Sequence, residues 1–416
     1  MVRLGIVGFG RRMRDVVDSL RQIDPNVKIV GIVDSDKKSC LSKLSDDEKG
    51  TVVFYENLDQ MATKANLDGL AIGTRCNSHS PYAVQASKYD IPLFLEKPVA
   101  ISMEQALLLE KAFDKSKCEV VVSFPLRVSP LCRLAKTYIQ KGAIGSCEHI
   151  CAVNYVVYGT VYWEQEYRNY DITQGLFLQK ATHDVDYMSY LMGSPIVRVA
   201  AMATKGKVFG GNKPKGLICS KCEEQAVCLE SPQNRKRNCS SELLDDHLCV
   251  FGSDCSNSRG ETNEDSSSAL VEFASGVHGV YTQVFFPRRD AKKRGAIISG
   301  YDGTLSFDWY KNELQHVQHH APFTSVSKVD YGATHWGGDV ELASDFLGVI
   351  KGTAKSRCSI WEGLQSVYVC LAAKESAAKG EFVKVRQIGQ KEFEHRTRLV
   401  EIKQPTTKPL MEKVEI

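Results

Sequence analysis

The chain opens on the apolar, β-branched run Val2-Arg3-Leu4-Gly5-Ile6-Val7, which leads directly into Gly8-Phe9-Gly10. Over residues 1–123 such short runs keep alternating with stretches of helical spacing. Parallel strands can be joined only through crossovers, so this alternation predicts successive βαβ units and a doubly wound parallel sheet of α/β class. The expected strands are Leu4–Val7, Ile29–Val33, Leu67–Ile72, Leu93–Leu95 and Val120–Ser123, with helices over Asp15–Leu20, Pro81–Tyr89 and Met103–Phe113.

A glycine pair straight after the first strand lets the chain turn tightly and present bare backbone N–H groups to a pyrophosphate at a helix N-terminus. The third glycine of that fingerprint is replaced by Met13. Asp34 ends the second strand in Gly31-Ile32-Val33-Asp34, where a carboxylate accepts from ribose hydroxyls and repels a 2′-phosphate. Strand, turn, helix and acid in this order read as a Rossmann domain over residues 1–124 that takes NAD in preference to NADP. Its expected cofactor contacts are Gly8, Phe9, Gly10, Arg11, Arg12 and Asp34, with Arg11, Arg12 and Lys37 as cations near the same ribose that could accept a phosphate. Ligands sit outside the carboxyl ends of such strands. Thr74, Asn77 and His79 in the following loop, and Glu96 and Lys97 at the end of Leu93–Leu95, should therefore face the nicotinamide end.

A chain of 416 residues exceeds one ordinary core, which stops growing near ~250–300 residues. A second domain over 125–385 and a tail over 386–416 are expected. The chain is 43% hydrophobic and 25% charged, with a net charge of +3 and no long single-sign run, which argues against a disordered tail or a nucleic-acid arm. No apolar stretch approaches the ~20 residues of a membrane span, and a strand at the very start leaves no room for a signal peptide. A cytoplasmic protein with reduced thiols is expected. Residues 205–266 break the pattern, being rich in Gly, Lys, Ser and Asn and holding Cys219, Cys222, Cys228, Cys239, Cys249 and Cys255. Cys219-x-x-Cys222 has zinc-knuckle spacing, but no second Cys-x-x-Cys follows. The reading favours free thiols over a zinc site on Cys219, Cys222, Cys228 and Cys239, and no catalytic metal.

Residues 175–192 carry apolar side chains at helical spacing and stop at Gly193. On this helix Gln179 and Lys180 lie four and three residues before His183, so all three can approach one cleft. An imidazole titrates near ~6.5, which makes His183 the candidate base. Trp163, Tyr167 and Arg168 form an aromatic, charged stretch suited to a sugar pocket, with Arg127 and His335 as further substrate contacts. Strands at Ala269–Phe273, Gly279–Phe285, Ala296–Ser299 and Thr304–Trp309 predict an open, mostly antiparallel sheet in an α+β domain.

Glu96-Lys97-Pro98, the Thr74/Asn77/His79 loop, Phe124-Pro125-Leu126-Arg127, Lys141–Gly145, Gly337-Gly338-Asp339 and Glu362-Gly363-Leu364 occur in one order. Through them, residues 1–385 resemble the Gfo/Idh/MocA oxidoreductase family. The resemblance implies hydride transfer between NAD and a hydroxyl carbon of a sugar, sugar derivative or polyol. It also implies Lys97 on the reacting oxygen, His183 as acid/base, and a homodimer or homotetramer. Gln179 stands where many members carry an Asp. The Lys180-Ala181-Thr182-His183 version looks like a subgroup with a Lys three before the His, which brings Lys180 into the catalytic set. Two other readings remain: an NAD-recycling glycoside hydrolase or lyase acting through a transient keto-sugar, and a non-catalytic NAD-binding regulator, against which Lys97 and His183 argue.

Overall fold

The computed structural model describes residues 1–238, 246–330 and 334–388. Its first sheet consists of six parallel strands, β1 (Val2–Val7), β2 (Val27–Val33), β3 (Val53–Phe54), β4 (Gly69–Ile72), β5 (Leu93–Leu95) and β6 (Val120–Val122), in the order β3-β2-β1-β4-β5-β6. Helices cover both faces, so Leu4, Ile6, Val7, Ile32, Ala71 and Ile72 are all fully buried and the strands read as continuous apolar runs. Val7 lies opposite both Val33 and Ile72, and the strand order reverses between β1 and β4, where a crevice opens at the carboxyl ends.

Each expected strand is present, and the two-residue edge strand β3 is the addition. The Met103–Phe113 helix has the expected bounds, and the helix expected at Asp15–Leu20 runs over Arg11–Ile23. A third helix runs over Cys76–Ala86 instead of starting at Pro81, so Asn77 and His79 sit in its first turns and not in a loop. Pro81 cannot donate to the carbonyl of Asn77, and Gln105 Nε2 donates to that carbonyl instead, at 3.0 Å. Two glycines fix the dinucleotide turn. Gly8 has φ +80° and a Cβ there would lie 2.8 Å from Thr74. A Cβ on Gly73 would meet Met13 Cε at 2.5 Å, so the close approach lost with the third glycine is recovered by a small residue on the opposing β4 loop.

The second sheet has nine strands: β7 (Cys147–Tyr155), β8 (Ile196–Lys205), β9 (Glu264–Phe273), β10 (His278–Val284), β11 (Lys293–Gly300), β12 (Gly303–Asp308), β13 (Glu313–Gln318), β14 (Thr324–Lys328) and β15 (Val383–Lys384). Their order is β14-β13-β12-β11-β7-β10-β9-β8-β15, antiparallel throughout except for β7 beside β10. The four strands expected from sequence are β9 to β12. The helices Thr182–Met192 and Ile360–Lys379 pack on this sheet. The Gly338–Ile350 helix returns to the first domain, where it packs on Arg11–Ile23 and sets the Phe346 ring 5.6 Å from that of Phe94.

Arg127 is a structural residue and not a substrate contact. Its guanidinium is buried and makes a two-point pair with Asp186 at 2.9 and 2.5 Å, a further pair with Glu362, and a bond to the Arg357 carbonyl. It thereby ties the Pro125–Val128 turn to the Thr182–Met192 and Ile360–Lys379 helices. The Cys-rich insertion occupies the connection from β8 to β9 and shares a separate small core of Val156, Tyr162, Trp163, Phe209, Val250 and Phe285. Trp163 is fully buried there, and Arg168 is buried against Asp254 at 2.5 Å and Cys255 Sγ at 3.1 Å. Both therefore anchor the insertion and do not line an open sugar pocket. No helix among the described residues is long and apolar enough to cross a membrane.

Candidate active site

At the dinucleotide end, Gly10 caps the Arg11–Ile23 helix without a side-chain bond, leaving the first-turn N–H groups directed at the crevice. Asp34, at the end of β2, accepts from the Phe9 N–H at 2.8 Å through one oxygen and from the Asp36 N–H at 2.8 Å through the other. Its carboxylate is thus fixed beside the glycine turn, the position that suits a ribose diol. Arg12 does not serve that ribose. Its guanidinium reaches Glu96 and Asp339 at 2.8 Å each and Ser123 at 3.0 Å, across the crevice. Burial opposes its charge, but Glu96 and Asp339 overcome that and hold it above the ordinary arginine value. Lys37 lies 4.9 Å over the Phe54 ring, and Arg11 is exposed. The residues present fit NAD.

Thr74 and Asn77 are half-buried beyond β4. His79 is buried, with Nδ1 2.8 Å from the Pro98 carbonyl and Nε2 3.0 Å from the Thr74 carbonyl. Both ring nitrogens are engaged, so His79 braces the two loops together and is not a direct cofactor contact. Glu96 is likewise buried against Arg12.

Lys97 follows β5 and crosses to the second domain, where Nζ donates to the Gln179 carbonyl at 2.6 Å. Burial, reinforced by the charge of Lys180, lowers its ammonium to about 8. The helix it meets is not regular: Phe177–Ala181 is π-wound and only Thr182–Met192 is α-helical. The expected α spacing of Gln179 and Lys180 against His183 is therefore altered, a winding often found at functional sites. Lys180 Nζ donates to the Tyr158 hydroxyl at 2.7 Å and lies over the Tyr158 and Tyr162 rings. Tyr158 was not singled out in the sequence, where nothing marks it apart from the aromatic stretch that follows.

His183 and Gln179 are both buried, and His183 Nδ1 and Gln179 Oε1 have no partner among the described residues. A buried polar atom left in this way costs about 1–3 kcal/mol, which a substrate hydroxyl would recover. Burial, followed by the charges of Lys97, Arg294, His335 and Lys180, holds the His183 imidazole well below its ordinary value, hence neutral at pH 7. Its neighbour Asp184 anchors the helix, accepting from Arg294 twice at 3.0 Å, Asn154 at 3.0 Å and Tyr281 at 2.9 Å.

The His335 ring is centred 6.0 Å from that of His183, and its Nδ1 lies 2.8 Å from Asp339. His335 and Trp336 adopt φ +43° and +51°, a left-handed pair of bulky residues of the kind held where function requires it. Tyr167 is half-buried, its ring centred 5.7 Å from that of Tyr162, and its phenol is raised by burial and by Cys76 and Glu96. Of the expected site residues, the fold brings Lys97, Gln179, Lys180, His183, His335 and Tyr167 together and assigns Arg127, Trp163 and Arg168 elsewhere. Among the described residues, no three His, Cys, Asp or Glu side chains are arranged to hold a metal ion; Cys239 lies outside the described residues.

Residues 2–124 match the family model described as oxidoreductase family, NAD-binding Rossmann fold, and residues 132–306 match the GFO/IDH/MocA C-terminal domain. The Bacillus subtilis protein YteT, described as an oxidoreductase, is 22% identical over 79% of this chain and 84% of its own length. Myo-inositol 2-dehydrogenase of Thermotoga maritima is 21% identical over 48% of this chain and 58% of its own. Among solved structures, levoglucosan dehydrogenase in complex with NADH superposes with a TM-score of 0.73 at 18% identity, covering 93% of this chain and all of that one. The strand order, the glycine turn with Asp34, the Lys97–His183 cleft and both domain matches agree, and the chain belongs to the Gfo/Idh/MocA family of NAD-binding oxidoreductases.

Proposed function

We propose that this protein is an NAD-dependent dehydrogenase acting on a CH–OH carbon of a sugar, sugar derivative or polyol. The observation that carries this reading is the convergence of Lys97, from β5, with His183 Nδ1, from the second domain, which has no partner among the described residues, at the nicotinamide end of the crevice. The nicotinamide, when bound, supplies the hydride acceptor. Lys97 Nζ, moved from the Gln179 carbonyl, hydrogen-bonds the reacting oxygen and offsets the negative charge that develops there. His183 accepts the hydroxyl proton at Nδ1. Gln179 Oε1 takes a neighbouring hydroxyl in place of the charge that an Asp would bring, and the Lys180–Tyr158 pair forms the adjoining wall.

Arg127 and Arg294 are each paired with a carboxylate and hold the fold together around the cleft. Leu270, Ile297 and Val326 are exposed on the nine-stranded sheet and support a homodimer or homotetramer through that face. The reading is tested by incubating the purified chain with NAD or NADP and a panel of inositols, anhydrosugars and pyranoses while following absorbance of the reduced cofactor. Net NADH accumulation with a polyol is expected. Turnover of glycosides without net NADH would replace this reading with the recycling hydrolase.

A further inference from the structure

His183 is only 5% exposed, so a proton that it takes up needs a route to water. Gln179, four residues earlier, is an amide and cannot carry that proton. The Phe124 ring, centred 6.1 Å from the imidazole, offers no acceptor. Of the charged groups that face His183, Lys97 and Lys180 are donors, to the Gln179 carbonyl and the Tyr158 hydroxyl, and Arg294 is paired with Asp184. The fourth is His335, whose ring is centred 6.0 Å from that of His183.

His335 sits on a rigid mount. Its Nδ1 lies 2.8 Å from one oxygen of Asp339, and the other oxygen of that buried carboxylate accepts from Arg12 at 2.8 Å. A carboxylate at Nδ1 keeps the hydrogen there, orients the ring and leaves Nε2 as the proton acceptor. His335, Trp336 and Gly337 are successive left-handed residues, at φ +43°, +51° and +83°. The segment is held in place from both sides. Trp336 stacks on Trp309 with ring centres 5.9 Å apart and meets the Tyr310 ring at 5.4 Å, and a Cβ on Gly338 would lie 2.0 Å from the Pro125 carbonyl oxygen. An ion pair at the start of a helix needs no left-handed pair of bulky residues, so this backbone serves the placing of the His335 ring. The His335 side chain is 35% exposed, which gives it the contact with water that His183 lacks.

We infer that His335 relays the substrate proton from His183 to water, with Asp339 as its positioning residue. The relay rests on the proposed oxidation of a hydroxyl carbon. As the hydride leaves that carbon with its electron pair for NAD, the C–O bond becomes a carbonyl and the hydroxyl proton passes to His183 Nδ1. His183 is then an imidazolium and gives up a proton to His335 Nε2, directly or across one bridging water at this ring separation. His335 passes it to bulk water, so one proton is released per NADH and both rings return to neutral. The direction of transfer follows from the surroundings. His183 is held well below its ordinary value by burial and then by Lys97, Arg294, His335 and Lys180, all of which oppose its charge. Burial also lowers the His335 imidazole, with Arg12 and Lys180 acting in the same sense, but there Asp339 counters them. His335 accepts only while neutral, so the relay is blocked as pH falls through its value.

The test replaces His335 by Asn, which tolerates a left-handed backbone and can still donate to Asp339 but holds no transferable proton. His335→Asn should keep its NADH affinity and lower kcat for polyol oxidation about tenfold or more, with kcat falling further than kcat/KM. Added imidazole should restore the lost rate, while kcat of the unmodified chain stays independent of it. In the variant the solvent deuterium isotope effect on kcat should rise and the effect of deuterium at the reacting carbon should shrink, because proton removal has become limiting. A reduced kcat that imidazole does not restore, with both isotope effects unchanged, makes His335 structural and overturns the relay, as does an unaffected kcat. The unmodified chain supplies a readout that needs no variant to fold. Its first-turnover proton release, followed with an indicator dye, should match NADH formation near pH 7 and lag behind it as pH drops to about 5, below the ordinary imidazole range. Release that keeps pace at about pH 5 overturns the relay while the dehydrogenase reading stands. Absence of NADH from the unmodified chain across the polyol panel overturns both.

Discussion

Lys97 is the residue at which burial and function pull against each other. Desolvation lowers its ammonium to about 8, so the cation is complete below that pH and lost above it. Since Lys97 acts in its charged form, kcat/KM for alcohol oxidation should fall as pH rises through about 8; a rate that keeps rising to pH 10 would make Lys97 a base instead. His183 is already neutral throughout that range and adds no limb there. Asp34→Ala should weaken NAD binding, measured by fluorescence titration, and narrow its margin over NADP, because Arg12 is committed to Glu96 and Asp339 and cannot take over a phosphate. Tighter NADP binding by the unmodified chain would refute this. Lys97, His183 and Asp34 were legible in the sequence because each sits at a fixed place relative to a strand end or helix. Arg127, Arg168 and Arg12 were not, because their carboxylate partners lie tens or hundreds of positions away in the chain and only the fold brings them close.

Among the elements, the helix before Gly193 shows what periodicity can and cannot reveal. Its apolar spacing predicts a buried helix, which is present, but the π turn at Phe177–Ala181 leaves no mark in that pattern. That turn brings the Gln179 carbonyl to Lys97 and Lys180 to Tyr158. Pro81 misled in the opposite direction, since a proline reads as a helix start unless the Gln105 side chain that satisfies Asn77 is known. The strands β9 to β12 alternate clearly, whereas β7 and β8 carry cysteine and charged residues that blur the pattern. At this scale Arg127→Met should lower unfolding free energy by about 3–5 kcal/mol, because it leaves Asp186 buried without its cation. NADH affinity should hardly change; a variant of normal thermal stability with raised substrate KM would restore Arg127 to the substrate site.

In the whole molecule, two sheets meet along one cleft and the chain crosses between them more than once. The Rossmann half supplies Asp34 and Lys97, the nine-stranded half supplies Gln179, Lys180 and His183, and the returning Gly338–Ile350 helix carries Asp339, which joins Arg12 to His335. A second domain is expected from chain length alone, whereas the return of the last helices to the first domain leaves no mark in the sequence. The proposed mechanism has Lys97 and His183 act together on the substrate oxygen. Its most direct test is single-turnover stopped-flow with a polyol deuterated at the reacting carbon, comparing the unmodified chain with Lys97→Ala and His183→Ala. Both variants should slow NADH formation by about a hundredfold or more while NADH binding changes little, and the step should carry a primary isotope effect. Hydride transfer at the unmodified rate in either variant would show that the altered residue takes no part in the chemical step.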